Sequence, residues 1–244
     1  MIISSMDNEK VKHYRRLQQK KYRDLYQEFL VEGPHLVLEA YRQGILKEII
    51  VLEDEVFPLD VPLVEVSAAV LKKISQVETP QKMMGLCKKQ ENTTIGERIL
   101  ILDALQDPGN VGTIIRSAAA FDIDTIIVGD NTVDVYNPKV IRATQGMLFQ
   151  VPIVPFSIDK LIPILKSLQI PVFATSVTHG VEVDQLREED KQRFALIVGN
   201  EGSGVNPTYL QACDKRLYIP MNAAVESLNV AIATSILLYE MRLK

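Results

Sequence analysis

Three short segments of this chain set polar side chains among glycines or small apolar residues, a pattern that points to chemistry. The first, Asp103-Ala104-Leu105-Gln106-Asp107-Pro108-Gly109-Asn110-Val111-Gly112, leads into a helix expected to carry Arg116 one turn in. Gly109 and Gly112 allow close backbone approach and a helix N-terminus attracts anions, so Asn110 and Arg116 together suit a ribose-phosphate. The same residues also fit an ordinary strand-turn-helix with Arg116 paired to a surface carboxylate. The second, Val198-Gly199-Asn200-Glu201-Gly202-Ser203-Gly204, packs three glycines around a carboxylate and matches neither GxxxxGK[ST] nor GxGxxG. Glu201 reads as an orienter of the first segment's polar groups, because a carboxylate accepts arginine donors and amide protons alike. Capping the helix near Pro207 would be the alternative, over too long a span. The third runs Ile219-Pro220-Met221 and then Glu226-Ser227-Leu228-Asn229-Val230-Ala231-Ile232-Ala233, where Ser227 and Asn229 begin an otherwise apolar helix. Ser227 reads as its N-cap, whereas Asn229, a poor residue inside an apolar helix, reads as reaching a ligand or a loop backbone.

These segments need elements to hold them. In a parallel α/β sheet, ligands bind beyond the carboxyl ends of the strands. The spacing predicts such a sheet, covered on both faces, from apolar runs at 99–102, 125–128, 172–175, 195–198 and 217–219, a helix after Gly112 and a last helix over about 226–242. Ahead of it lies a smaller α/β unit, with strands expected at 29–31, 48–52, 62–66 and 83–87, a helix from Pro34 to Gly44 and one capped by Ser67. The polar stretch after Cys87 separates them, giving domains at 1–88 and 98–244 joined by a linker at 89–97.

The 244 residues are 47% hydrophobic and 24% charged, a globular composition long enough for two modest domains. No apolar run reaches membrane-spanning length, and the first twelve residues lack a signal-peptide core, so a cytoplasmic protein is expected. Cys87 and Cys213 lie far apart, and His13, His35 and His179 share no ligand spacing, so neither a disulfide nor a metal site is indicated. The net charge of −4 hides a basic stretch: Lys10, Lys12, Arg15, Arg16, Lys20, Lys21 and Arg23 follow one acid, Glu9, with Tyr14 and Tyr22 interleaved. Such a helix suits RNA, phosphates on its cations and an unpaired base on a tyrosine face, and it equally fits a solvated helix face.

In this order, the three segments resemble the three motifs of the SpoU/TrmH family of RNA 2′-O-ribose methyltransferases: Asn110-Val-Gly112 with Arg116, Gly199-Asn-Glu201-Gly-Ser-Gly204, and Ser227-Leu-Asn229-Val with Ala231 and Ala233. The match spans 99–242. More loosely, the basic helix and Phe29-Leu-Val-Glu32-Gly33 resemble the family's substrate-binding domain, a fold related to an RNA-binding ribosomal protein.

The resemblance implies a C-terminal trefoil knot, a homodimer and S-adenosylmethionine held near Thr175, Gly199, Gly204, Ile219, Met221 and Leu228. It also implies a catalytic set of Arg116, Asn110, Glu201, Ser227 and Asn229, with Arg116 acting on the partner's pocket. Arg116 serves as a phosphate clamp that stabilises charge on the 2′-oxygen, or as a base if deprotonated; the contacts would look the same. The substrate it favours is structured RNA, 23S ribosomal RNA ahead of transfer RNA. The competing reading is a non-catalytic RNA-binding or ribosome-assembly factor.

Overall fold

The computed structural model describes residues 2–243 except Asp54, Val56 and His179, so His179 of the histidine set lies outside the described residues. The chain divides into two compact units, Met1–Glu91 with Asp134–Gln150, and Asn92–Val133 with Val151–Lys244.

The first unit orders its elements α1 (Glu9–Arg16), α2 (Lys20–Tyr26), β1 (Glu28–Glu32), α3 (Pro34–Arg42), β2 (Leu46–Leu52), β3 (Leu63–Val66), α4 (Ala68–Ile74) and β4 (Met83–Lys88). Its sheet runs β1-β4-β2-β3, antiparallel except for the β2–β3 pair. Val11, Tyr14 and Leu17 of the α1 face pack with Val70, Leu71 and Ile74 of α4 over Ile50 and Leu86. Side chains at this three-to-four-residue spacing share one helical face, which is why these elements form a layer on the sheet. Ser67 caps α4 by accepting from Val70 N. The basic stretch is not one helix. Arg23 sends its Nη1 back to the carbonyls of Leu17 (2.8 Å) and Gln18 (3.0 Å), fixing a turn between α1 and α2.

Residues 134–150 fall in the second domain by sequence continuity, yet they pack with the first unit. There α6 (Pro138–Thr144), started by the Asn137 cap and Pro138, buries Val140 and Ile141. Phe149 and Tyr136 lie against Phe29, with ring centroids 5.9 and 4.8 Å apart. Apolar side chains outweigh chain order here, since each gains stability only where it finds an apolar neighbour.

The second unit carries β5 (Arg98–Leu102), α5 (Pro108–Ala120), β6 (Thr125–Val128), β7 (Ile153–Pro155), α7 (Ile158–Ser167), β8 (Val172–Thr175), β9 (Val181–Glu182), α8 (Glu188–Gln192), β10 (Phe194–Val198), α9 (Pro207–Ala212), β11 (Lys215–Tyr218) and α10 (Val230–Glu240). Its seven strands run β7-β6-β5-β10-β8-β11-β9, every adjacent pair parallel. Every residue of β5 and β10 is buried, as central parallel strands covered on both faces require. Leu102 is level with Val198 and Thr175 with Leu217, so the loops after β5 and β10 leave the sheet side by side. Among the described residues, no helix is long and apolar enough to cross a membrane.

Two helix starts depart from expectation. α5 begins at Pro108, capped by Asp107, whose carboxylate accepts from Asn110 N. Gly112 is therefore inside the helix and Arg116 lies two turns in rather than one. α10 begins at Val230 rather than near Glu226, and its cap is Asn229 rather than Ser227.

Candidate active site

Asn229 sits where its backbone leaves the extended region and its Oδ1 accepts from Ala231 N (2.9 Å) and Ile232 N (3.3 Å). Spending the oxygen on the cap turns the amide nitrogen outward, and Nδ2 donates to Asn110 Oδ1 at 3.0 Å. Asn110, in the first turn of α5, passes the chain on: its Nδ2 donates to Glu201 Oε1 at 3.1 Å. Glu201 also accepts from Asp107 N (3.2 Å) and Gln106 N (3.3 Å). Burial by itself would raise this carboxyl, but hydrogen bonds from its own backbone, Asn110, Asp107 and Gln106 prevail and hold it below the usual carboxylate value. The donors that Glu201 collects are amide groups of the first segment, and no arginine is among its partners in the described residues.

Asn200, to which the sequence assigns no role of its own, adjoins Glu201. Its Nδ2 donates to Ala104 O at 2.8 Å, while its Oδ1 accepts from Gly202 N (2.9 Å) and Ser203 N (3.2 Å). It thereby ties the glycine loop to Ala104, which is held at φ 54°, a left-handed conformation that non-glycine residues seldom adopt. Gly199 is needed where this loop closes: a Cβ there would meet Val205 N at 2.1 Å and the Gly204 carbonyl carbon at 2.2 Å. Gly204 completes the turn at φ +70°.

Beside this network lies a cavity of about 670 Å³ that brings together Thr175, Gly199, Gly204, Ile219, Met221 and Leu228, with Glu201, Ser227 and Asn229 also on its wall. Ile219, Met221 and Leu228 supply apolar contact suited to an adenine ring, and the carboxylates of Glu201 and Glu226 give negative charge suited to a sulfonium. These residues fit S-adenosylmethionine. Arg216 also lines the cavity; nothing in its sequence setting singled it out. Ser227 is exposed on the wall without the capping role expected of it.

Arg116 is not part of that wall. Six residues at 3.6 per turn carry it well round α5 from Asn110, and it is exposed, its side chain making no hydrogen bond or ion pair among the described residues. The surface carboxylate that would have made it an ordinary paired arginine is absent among them.

The basic stretch divides in two. Lys10, Lys12 and Lys20 pair with Glu48 (2.6 Å), Glu9 (2.9 Å) and Asp24 (2.5 Å). Arg23, expected on an RNA surface, is instead buried at 4% exposure and paired with Asp134 at 2.5 Å, so it is removed from that set. Tyr14 is likewise fully buried with its hydroxyl donating to Glu48, so it has no face for a base. Arg15, Arg16 and Lys21 remain exposed and unpaired by any carboxylate among the described residues.

Comparison with known proteins agrees with this arrangement. The SpoU rRNA methylase family profile matches residues 97–239 and the MRM3-like substrate binding domain matches 8–85. The chain is 38% identical, over 98% of both chains, to 23S rRNA (guanosine(2553)-2′-O)-methyltransferase RlmP of Bacillus subtilis. A putative TrmH-family RNA methyltransferase from Porphyromonas gingivalis superposes with a TM-score of 0.86 at 33% identity, covering 98% of each chain. An AdoMet-bound rRNA methyltransferase from Sinorhizobium meliloti does so with 0.86 at 29% identity, covering 99% of this chain and 97% of that one. With its three motif segments converging at one end of the parallel sheet, the chain belongs to the SpoU rRNA methylase family.

Proposed function

We propose that this protein transfers a methyl group from S-adenosylmethionine to a ribose 2′-hydroxyl of large-subunit ribosomal RNA. The observation that carries the reading is the chain Asn229–Asn110–Glu201, which joins all three motif segments at the edge of a cavity fitted to the cofactor. S-adenosylmethionine would supply the electrophilic methyl, its C–S bond breaking as the 2′-oxygen–carbon bond forms and S-adenosylhomocysteine leaving, with the hydroxyl proton released to solvent; the protein's task is to position the hydroxyl. Asn110 and Asn229 hold the ribose end of the site rigidly, since each amide is already oriented by a partner. Arg116, free of any carboxylate, grips the phosphate beside the target ribose and stabilises negative charge developing on the 2′-oxygen.

A homodimer is part of this reading. Ile232, Ile236, Tyr239 and Leu243 are exposed at spacings of four, three and four along α10 and the residues after it, an apolar stripe of the kind that a second copy covers. Arg116 is turned away from its own cavity, which supports its serving the partner's pocket. The trefoil knot rests on the family and on the path of the chain, in which α10 follows β11 and returns to pack against α5. A cytoplasmic place of action is part of the same reading.

The test is methyl transfer from labelled S-adenosylmethionine to RNA of a strain lacking this protein, followed by mapping of alkali-resistant positions. One new 2′-O-methyl position in 23S RNA is expected. Label confined to transfer RNA would overturn the substrate assignment, and cofactor binding with no transfer to any RNA or ribosomal subunit would overturn the reaction.

A further inference from the structure

Three element ends meet at one residue of the first unit. Gln18, in the turn between α1 and α2, donates its Nε2 to Ile74 O at 3.1 Å, which brings the last turn of α4 to the last turn of α1. Arg23 holds the same turn from beneath through Leu17 O and Gln18 O. Around this junction stand five cations: Arg15 and Arg16 at the end of α1, Lys21 at the start of α2, and Lys72 and Lys73 at the end of α4. All five are exposed, and among the described residues none makes a direct ion pair with a carboxylate, though Arg16 is near enough to Glu9 to act on its charge. This separates them from Lys10, Lys12 and Lys20, whose charge is already matched.

Aromatic rings adjoin them. Lys21 Nζ lies 4.7 Å from the Tyr22 ring centre, Tyr22 stacks on Tyr26 with planes 13° apart, and Tyr26 meets the edge of His13 on α1. Tyr26 is 36% exposed. Unmatched cations beside a row of accessible rings suit a polymer that carries both phosphates and flat bases.

We propose that the surface around the α1–α2 turn is the place where this unit grips RNA, with phosphates on Arg15, Arg16, Lys21, Lys72 and Lys73 and an unpaired base on Tyr26. This rests on the reading above that the protein acts on ribosomal RNA. Lys72 and Lys73 lie about fifty residues beyond the basic stretch and join it only through the fold. Arg23 acts there as the support of the turn, not as a contact.

The test is binding of the full-length protein to protein-free 23S RNA from a strain lacking it, measured over a range of salt. Each phosphate contact removed lowers the slope of log affinity against log salt by about one. Combined Arg15→Gln, Arg16→Gln, Lys72→Gln and Lys73→Gln is expected to lower it by about three to four and weaken binding by at least about tenfold at moderate salt. The Lys12→Gln/Lys20→Gln pair should leave the slope in place, and Tyr26→Ala should weaken binding at an unchanged slope. Cofactor binding, measured on each variant, should match wild type, and so should the melting temperature of the charge variants; Tyr26→Ala also loses its ring contacts with Tyr22 and His13 and should melt somewhat lower. A wild-type slope in the fourfold variant overturns the surface while leaving RNA recognition intact; wild-type protein that shows no salt-dependent binding to this RNA overturns both.

Discussion

The side-chain nitrogen of Asn229 lies 3.0 Å from the side-chain oxygen of Asn110, tying the N-cap of α10 to the first turn of α5 across 119 positions of sequence. The direction of this bond is set by the cap, because the Asn229 oxygen is engaged by Ala231 N and Ile232 N. Asn229 thus does two jobs with one side chain, and they are separable.

Asn229→Asp keeps an oxygen for the cap but gives up the donor to Asn110. We expect its melting temperature to stay near wild type while methyl transfer falls by at least about tenfold, the size of one lost oriented hydrogen bond of about 1.4 kcal/mol. Asn229→Ala should lose the cap as well, at a cost of about 1 kcal/mol. Equal turnover in Asp and wild-type proteins would show that the Asn229–Asn110 bond is not needed.

Gly199→Ala places a methyl group where the loop backbone passes, 2.1 Å from Val205 N. Backbone cannot move aside as a flexible side chain can, so the loop must open. Calorimetric titration with S-adenosylmethionine should show binding lost or weakened by at least about a hundredfold, equivalent to about 3 kcal/mol of strain, the upper end of overpacking costs. Affinity within a few-fold of wild type would refute the closed loop.

Asp103 is buried beneath the site and accepts from Asn206 N at 2.8 Å. Burial raises its carboxyl above the ordinary range, and Asp159 adds to this, while the Asn206 N–H opposes it. A raised folded-state value means that the folded protein holds the proton more tightly. The associated stability is present below the unfolded value of about 3.9 and is lost as pH climbs through the raised one. Asp103→Asn should therefore melt close to wild type near pH 4 and above it at pH 7, by about 2–4 °C for each 1 kcal/mol of relieved burial. A difference that does not change with pH would rule out this account.

Val140, Ile141, Leu148 and Phe149 are buried within the first unit. A fragment starting at residue 92 strips their cover, and each such side chain loses on the order of 1.5–3 kcal/mol of burial. We expect that fragment to aggregate, and the same fragment with 134–150 replaced by a short Gly/Ser linker to be monodisperse by light scattering and to bind the cofactor. Monodisperse behaviour of the unmodified fragment would show that 134–150 does not depend on the first unit.

Glu201→Gln removes the charge that collects Asn110 Nδ2, Asp107 N and Gln106 N around one carboxylate. Charge-assisted bonds are about twice as strong as neutral ones, so methyl transfer should drop by about tenfold or more. Because the folded carboxyl is held below its ordinary value, the wild-type site should stay intact down to about pH 4 and loosen only as pH falls through the lowered value. Retained activity in the glutamine variant would assign Glu201 no orienting role.

By itself, the sequence determined the inner strands, because runs such as Ile99 to Leu102 and Ala195 to Val198 are apolar throughout and only a central parallel sheet buries both faces; the short edge strands β7 and β9 carry no such run and were not expected. It also singled out Asn110, Glu201 and Asn229 as polar groups among glycines and small apolar residues, and the fold joins these three in one hydrogen-bonded chain. What the tertiary structure decided is which partner each polar group takes. Helix periodicity cannot tell that Arg23 and Tyr14 face inward while Arg15 and Arg16 face out, because this depends on Asp134 and Glu48, distant in sequence. Nor does it reveal that Asn229 is a cap, since Ser227 and Asn229 are both capping residue types and only the start of α10 at Val230 decides between them. The placement of residues 134–150 has the same cause: burial rewards contact in space, and chain order does not record which apolar surface a segment will meet.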